Sequence, residues 1–102
     1  MNSSRVLLFL LFVLLSLVTV AAVVRPPKAI QRTPVESSNL SSVGYDAGSR
    51  TLEVKFNHGG IYRYFEVPPE THRELMKSES KGKFFHAYIR GKFRFERYDK
   101  VR

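Results

Sequence analysis

Tyr62, Arg63 and Tyr64 follow one another in a stretch of alternating polarity, and downstream come Lys81, Lys83, Arg90, Lys92, Arg94 and Arg97, interleaved with Phe84, Phe85, Phe93 and Phe95. On a strand, residues two apart share a face, so the two tyrosines stand together and Arg63 points away. Rings on a sheet flanked by cations can stack bases and neutralise phosphates. Tyr62, Tyr64, Lys81, Lys83, Arg90, Lys92, Arg94 and Arg97 are therefore the candidate polyanion-binding residues. The same rings would equally fill the core of a small domain, and the same cations would equally form a solvated surface.

Other chemistries find little support. Cysteine is absent, which excludes thiol catalysis, disulfides and cysteine-based zinc sites. His58, His72 and His86 are each 14 residues apart, too far for a local ligand pair on one helix or strand. Gly-Lys-Phe occurs at Gly82 and again at Gly91, but without the Ser or Thr and the spaced glycine of a phosphate loop. The serines are concentrated in linker and turns, so a nucleophile-base-acid triad is not expected. The residues thus predict no catalytic set, no metal site and no cofactor.

The elements that must position these side chains follow from their spacing. Val43 and Tyr45 share one strand face, and Leu52, Val54 and Phe56 alternate with Thr51, Glu53 and Lys55. Ala47-Gly48-Ser49 and Asn57-His58-Gly59-Gly60 supply the turns. A third strand is expected over 61–67, apolar on both faces and hence central or covered on both sides. Pro68-Pro69 ends it and starts a helix reaching Ser78, with His72, Leu75 and Met76 inward. A second short helix over 83–89 stacks Phe85 on Ile89 and Phe84 on Tyr88 before Gly91 breaks it. Phe93 and Phe95 suit a fourth short strand. The fold class is α+β: a small antiparallel meander of three to four strands followed by two short helices.

Ahead of this domain lies an uncharged run of 19 residues, 6–24, holding seven Leu, six Val and two Phe. As a helix it would span roughly 28 Å, the thickness of a bilayer core. With Arg5 before it and Val20-Ala21-Ala22 near its end, it reads as a cleaved signal peptide or as a retained membrane anchor. The basic residues Arg25, Lys28 and Arg32 beyond it give a slight bias toward a cytosolic domain if the anchor stays. The chain is accordingly expected to be exported or held at a membrane as a single-pass protein, with the domain outside the cytosol favoured over a cytosolic one. Residues 25–38, with Pro26, Pro27 and Pro34, read as an extended linker, 39–98 as the domain, and 99–102 as a basic tail.

The chain has 102 residues and a formal charge of +8. Eight of its Lys and Arg, against Glu96 and Asp99 alone, fall in 81–102. Such an imbalance attracts an anionic partner, whether nucleic acid, acidic lipid or acidic protein.

The order Ser37-Ser38-Asn39-Leu40, Val43-Gly44-Tyr45-Asp46, Leu52 with Val54 and Phe56, Gly60, Tyr62-Arg63-Tyr64, Val67-Pro68 and Ser80-Lys81-Gly82-Lys83-Phe84-Phe85 through Ile89-Arg90 resembles the KTSC domain. That family takes its name from the carboxyl end of some lysyl-tRNA synthetases and also occurs as small stand-alone bacterial proteins. The resemblance covers residues 35–98. Through the synthetase context it suggests RNA as the ligand of a non-catalytic binding module, which presupposes a cytosolic domain. The alternative is an envelope protein-interaction module with no nucleic-acid ligand, its aromatics in the core and its charge tuned to acidic protein or lipid.

Overall fold

The computed structural model describes residues 25–99. The apolar run expected as a hydrophobic helix or signal peptide, and residues 100–102 of the basic tail, lie outside the described residues. Five antiparallel strands neighbour one another in chain order: β1 (Arg32–Pro34), β2 (Leu40–Asp46), β3 (Thr51–Phe56), β4 (Ile61–Tyr64) and β5 (Phe95–Arg97). Helices α1 (Pro69–Lys77) and α2 (Lys81–Tyr88) form the excursion between β4 and β5. The α+β meander with two short helices is as expected from sequence, with five strands rather than three or four.

Pairing register follows from side-chain alternation. Val43 stands opposite Val54, Tyr45 opposite Leu52, Leu52 opposite Tyr64 and Val54 opposite Tyr62, so one face carries a continuous apolar row. Leu75 of α1, Phe85 of α2 and Ile89 close over that face, and with Leu40, Val43, Leu52, Val54, Tyr64 and Val67 they make the core. Each fully buried Leu or Ile contributes about 1.5–3 kcal/mol, the main favourable term for a domain without cross-links.

β4 is shorter than expected, stopping at Tyr64, because Glu66 takes a left-handed backbone with φ 58°. Val67 then turns inward, and both its backbone groups are satisfied: its N–H donates to the Arg50 carbonyl at 2.9 Å, and its carbonyl accepts from the Tyr45 hydroxyl at 2.6 Å. Pro68 and Pro69 follow, and α1 starts at the second of them. His72, Leu75 and Met76 face inward as expected: Leu75 is fully buried, Met76 packs on the core, and the His72 ring stacks on Tyr45 at 4.6 Å. α2 begins two residues earlier than the aromatic spacing implied, because the Ser80 hydroxyl accepts from the Lys83 N–H and caps the first turn.

The stretch expected as a linker is partly built into the sheet. Arg32, Thr33 and Pro34 pair with Gly44, Val43 and Ser42 as an edge strand, a place where proline's missing N–H costs little. Residues 30–31 cross directly over Gly44, where an added Cβ would come within 2.9 Å of Ile30 Cγ2 and closer still to the Gln31 carbonyl oxygen. Only glycine allows that approach. On this second sheet face Arg63 stands opposite Glu53, and Arg32 reaches over Gly44 to the same carboxylate. Arg63 Nε donates to Glu53 at 2.8 Å, while its terminal nitrogens donate to the Pro27 carbonyl at 2.6 Å and the Lys28 carbonyl at 3.2 Å. The Tyr98 ring lies 3.6 Å from the guanidinium. Glu53 is 1% exposed and Arg63 5%, so the central strands are covered on both sides.

Candidate nucleic-acid interface

The candidate cations do not form one surface. Lys81 and Lys83 sit at the start of α2, where the Lys81 ammonium donates to the Ser78 carbonyl at 3.1 Å and Lys83 is exposed. Lys92 is exposed in the turn after α2, its N–H bonded to the Ile89 carbonyl. Arg94 lies on the face away from the helices, 4.2 Å from the Phe65 ring and 3.7 Å from Glu96. One-residue alternation separates Arg94 from Phe95, which is why a cation neighbouring an aromatic in sequence faces the other way.

Tyr62, Tyr64, Arg90 and Arg97 do come together. β5 brings Phe95 opposite Tyr64 and Arg97 opposite Tyr62. Phe95 lies 5.9 Å from the Tyr62 ring and 5.6 Å from Tyr64, and Phe85 and Phe56 continue the cluster at 5.3 Å from each other. These rings wall an open depression of about 350 Å³ whose remaining lining includes Arg90 and Gly91. Arg97 stands 5.7 Å from the Tyr62 ring and is held by Asp99 at 2.9 Å, and that hydrogen bond keeps the Asp99 carboxyl below its ordinary value.

The tyrosines have different roles in this wall. Tyr64 is 5% exposed and its hydroxyl is pushed up to about 12, chiefly by burial, with the Tyr62 phenol adding to it and Arg90 opposing. It is part of the core. Tyr62 is half-buried, and Phe95 is 53% exposed, so Phe95 presents the free ring. The exposed ring facing the depression is thus one of the four interleaved phenylalanines, not one of the two tyrosines expected as the stacking platform. Pairing of β5 to β4 across the two helices is what places it there, and local spacing carries no signal for so distant a contact.

The histidines, spaced too widely for a local ligand pair, are also partly gathered by the fold. His58 and His86 line a neighbouring depression, while His72 is apart under α1. A second, larger depression of about 750 Å³ lies on the opposite sheet face and includes Lys28, Arg50 and Arg94, but also Glu66 and Glu96. Its mixed charge makes it a poorer match for a polyanion. Among the described residues no helix is long and apolar enough to cross a membrane.

Comparison with known proteins agrees with this architecture. Residues 36–93 match the family described as the KTSC domain. A lysine–tRNA ligase of Nostoc punctiforme is 36% identical over 83 residues, which is 81% of this chain and 15% of the ligase. The chain thus spans 15% of the length of that enzyme. An uncharacterized protein of Stutzerimonas stutzeri is 38% identical over 71 residues, 69% of this chain and 100% of the relative. The crystal structure of a KTSC domain protein from Yersinia pestis superposes with a TM-score of 0.66 at 45% identity, covering 68% of this chain and 97% of that one.

Proposed function

The chain belongs to the KTSC domain family, and from that membership we propose that it is a non-catalytic binding module whose aromatic depression takes single-stranded RNA. The observation that carries this reading is the wall formed by Tyr62, Tyr64, Phe85 and Phe95 with Arg90 at its edge and no carboxylate in the lining. Rings accept bases of any sequence by stacking, worth about 1–3 kcal/mol per base, and a guanidinium beside them takes phosphate. The relatives named lysine–tRNA ligase, whose name is that of an enzyme acting on RNA, favour RNA over other polyanions.

The test is binding of a labelled oligoribonucleotide to the protein and to Phe95→Ala and Arg90→Ala. Both positions are exposed, so the fold tolerates their replacement. Each substitution is expected to weaken binding about tenfold or more, whereas Lys92→Ala, outside the depression, should change it little. Equal affinity of all four proteins would remove the reading.

A further inference from the structure

Next to the aromatic depression is another of about 270 Å³, and the two share Phe56, Gly59, Phe85 and Arg90. Its own contribution is polar: Asn39, His58 and His86. Neither depression is lined by Asp or Glu. We propose that the pair forms a site for one nucleotide, with the base in the aromatic compartment, the phosphate in the polar one and Arg90 at their boundary. This rests on the RNA reading and specifies which unit of the ligand is held.

Size and chemistry both point this way. Small-ligand sites measure about 300–1,000 Å³, and the two compartments, about 350 and 270 Å³ with a shared wall, together fall within that range, room for one nucleotide rather than a run of them. Imidazole, amide and guanidinium N–H groups all donate to phosphate oxygens, and the arginine fork does so in pairs. A metal ion is a weaker match, since two histidines and an amide without carboxylate or thiolate make an incomplete donor set, and among the described residues no group of three potential metal ligands is found.

The sequence builds this compartment from parts with other claims on them. His86 and Arg90 are four apart along α2 and its end, so they share a side. The Arg90 N–H donates to the Phe85 carbonyl at 2.9 Å, which keeps that turn closed. Gly82, buried in the first turn of α2, lets the Asn39 amide lie against the helix, where an added Cβ would be 2.8 Å from its nitrogen. The Asn39 carbonyl accepts from the Asn57 N–H at 2.8 Å, tying it to the turn that carries His58. Three separated segments thus converge on one polar cavity.

The experiment is a titration of the full chain, in mild detergent, with adenosine monophosphate, adenosine and inorganic phosphate, followed by calorimetry or amide chemical shifts. The nucleotide should bind about tenfold or more tightly than the nucleoside, the worth of one hydrogen bond to a charged group. The double variant His58→Ala, His86→Ala should narrow that difference to what Arg90 and Asn39 supply while leaving adenosine binding unchanged, and Phe95→Ala should weaken both ligands. Displacement of the monophosphate by an oligoribonucleotide identifies the held unit as part of a strand; binding of the monophosphate without such displacement identifies a free nucleotide, and either supports the site. Equal binding of monophosphate and adenosine, or an unaffected preference in the histidine variant, overturns the inference. If RNA binding still depends on Phe95 in that case, the broader reading stands without it. Displacement of the monophosphate by an acidic peptide, with no effect of RNA, would assign the cavity to protein and overturn both.

Discussion

Glu53 sits in β3 where alternation with Leu52 and Val54 assigns it to solvent, yet it is 1% exposed because Arg63, Arg32 and the crossing residues 25–31 cover it. Removing Arg63 leaves Glu53 paired with Arg32 but takes away one of its two ion pairs and the donor of the Pro27 and Lys28 carbonyls. Arg63→Ala is therefore expected to lose about 3 kcal/mol in urea denaturation, the low end of the range for breaking a buried pair, and Arg63→Lys most of that, since a lysine cannot reach Glu53 and both carbonyls together. His72 gives a pH signature. Burial between α1, which carries it, and Tyr45 holds its pKa below the ordinary 6.5, so the unfolded chain binds the proton more readily than the folded one. The stability that comes from the neutral ring is complete above pH 6.5 and is lost as pH falls from there toward the lowered folded value. Melting temperature should drop over that window, and His72→Phe, which keeps a ring against Tyr45, should flatten the drop. A pH-independent difference between the two proteins would contradict the assignment.

At the scale of elements, the meander and both helices were legible because their signals are local: strict alternation in β3, glycine turns, the proline pair at the start of α1 and the four-residue aromatic spacing of α2, whose Ser80 cap went unread. What was not legible depends on distant partners. β1 is three residues in a proline-bearing stretch, and only its pairing with β2 across Gly44 makes it a strand. β5 begins at Phe95, two residues after the Phe93 start that the alternation implied, because the Phe65 N–H donates to the Arg94 carbonyl and the Tyr98 N–H to the Ile61 carbonyl, which fixes the register from β4. Of the candidate site, Tyr62, Tyr64 and Arg90 line the depression and Arg97 stands beside Tyr62 at its margin, whereas Arg94 is turned away by strand alternation and Lys81, Lys83 and Lys92 lie outside the depression. The crossing over Gly44 is itself testable. Gly44→Ala should cost about 1–3 kcal/mol, the range for forced overpacking, and hydrogen exchange should show the loss first in β1 and β2. Protection that falls only in α1 or α2 would show that the crossing does not restrain the edge strand. Leu75→Ala, which opens a cavity between α1 and the sheet, should cost about 2–5 kcal/mol and destabilise the whole domain in one transition.

Across the whole molecule, a formal charge of +8 concentrated after residue 80 supplies long-range attraction to an anion, while the contact proposed for RNA is confined to the ring-walled depression between β4, β5 and the end of α2. An RNA ligand also sets a requirement on residues 6–24: the domain must face the cytosol. A reporter fused to the carboxyl terminus should accordingly be active there, and activity only in the exported compartment would contradict the RNA proposal. The central claim, that the rings and Arg90 bind single-stranded RNA, is tested most directly by the salt dependence of oligoribonucleotide binding to the wild-type protein and to Phe95→Ala. The account predicts a log–log slope of about −0.7 for each phosphate contacted, with Phe95→Ala lowering affinity at every salt concentration and leaving the slope unchanged, because stacking carries no counterions. A flat salt response, or an affinity indifferent to Phe95, would contradict it.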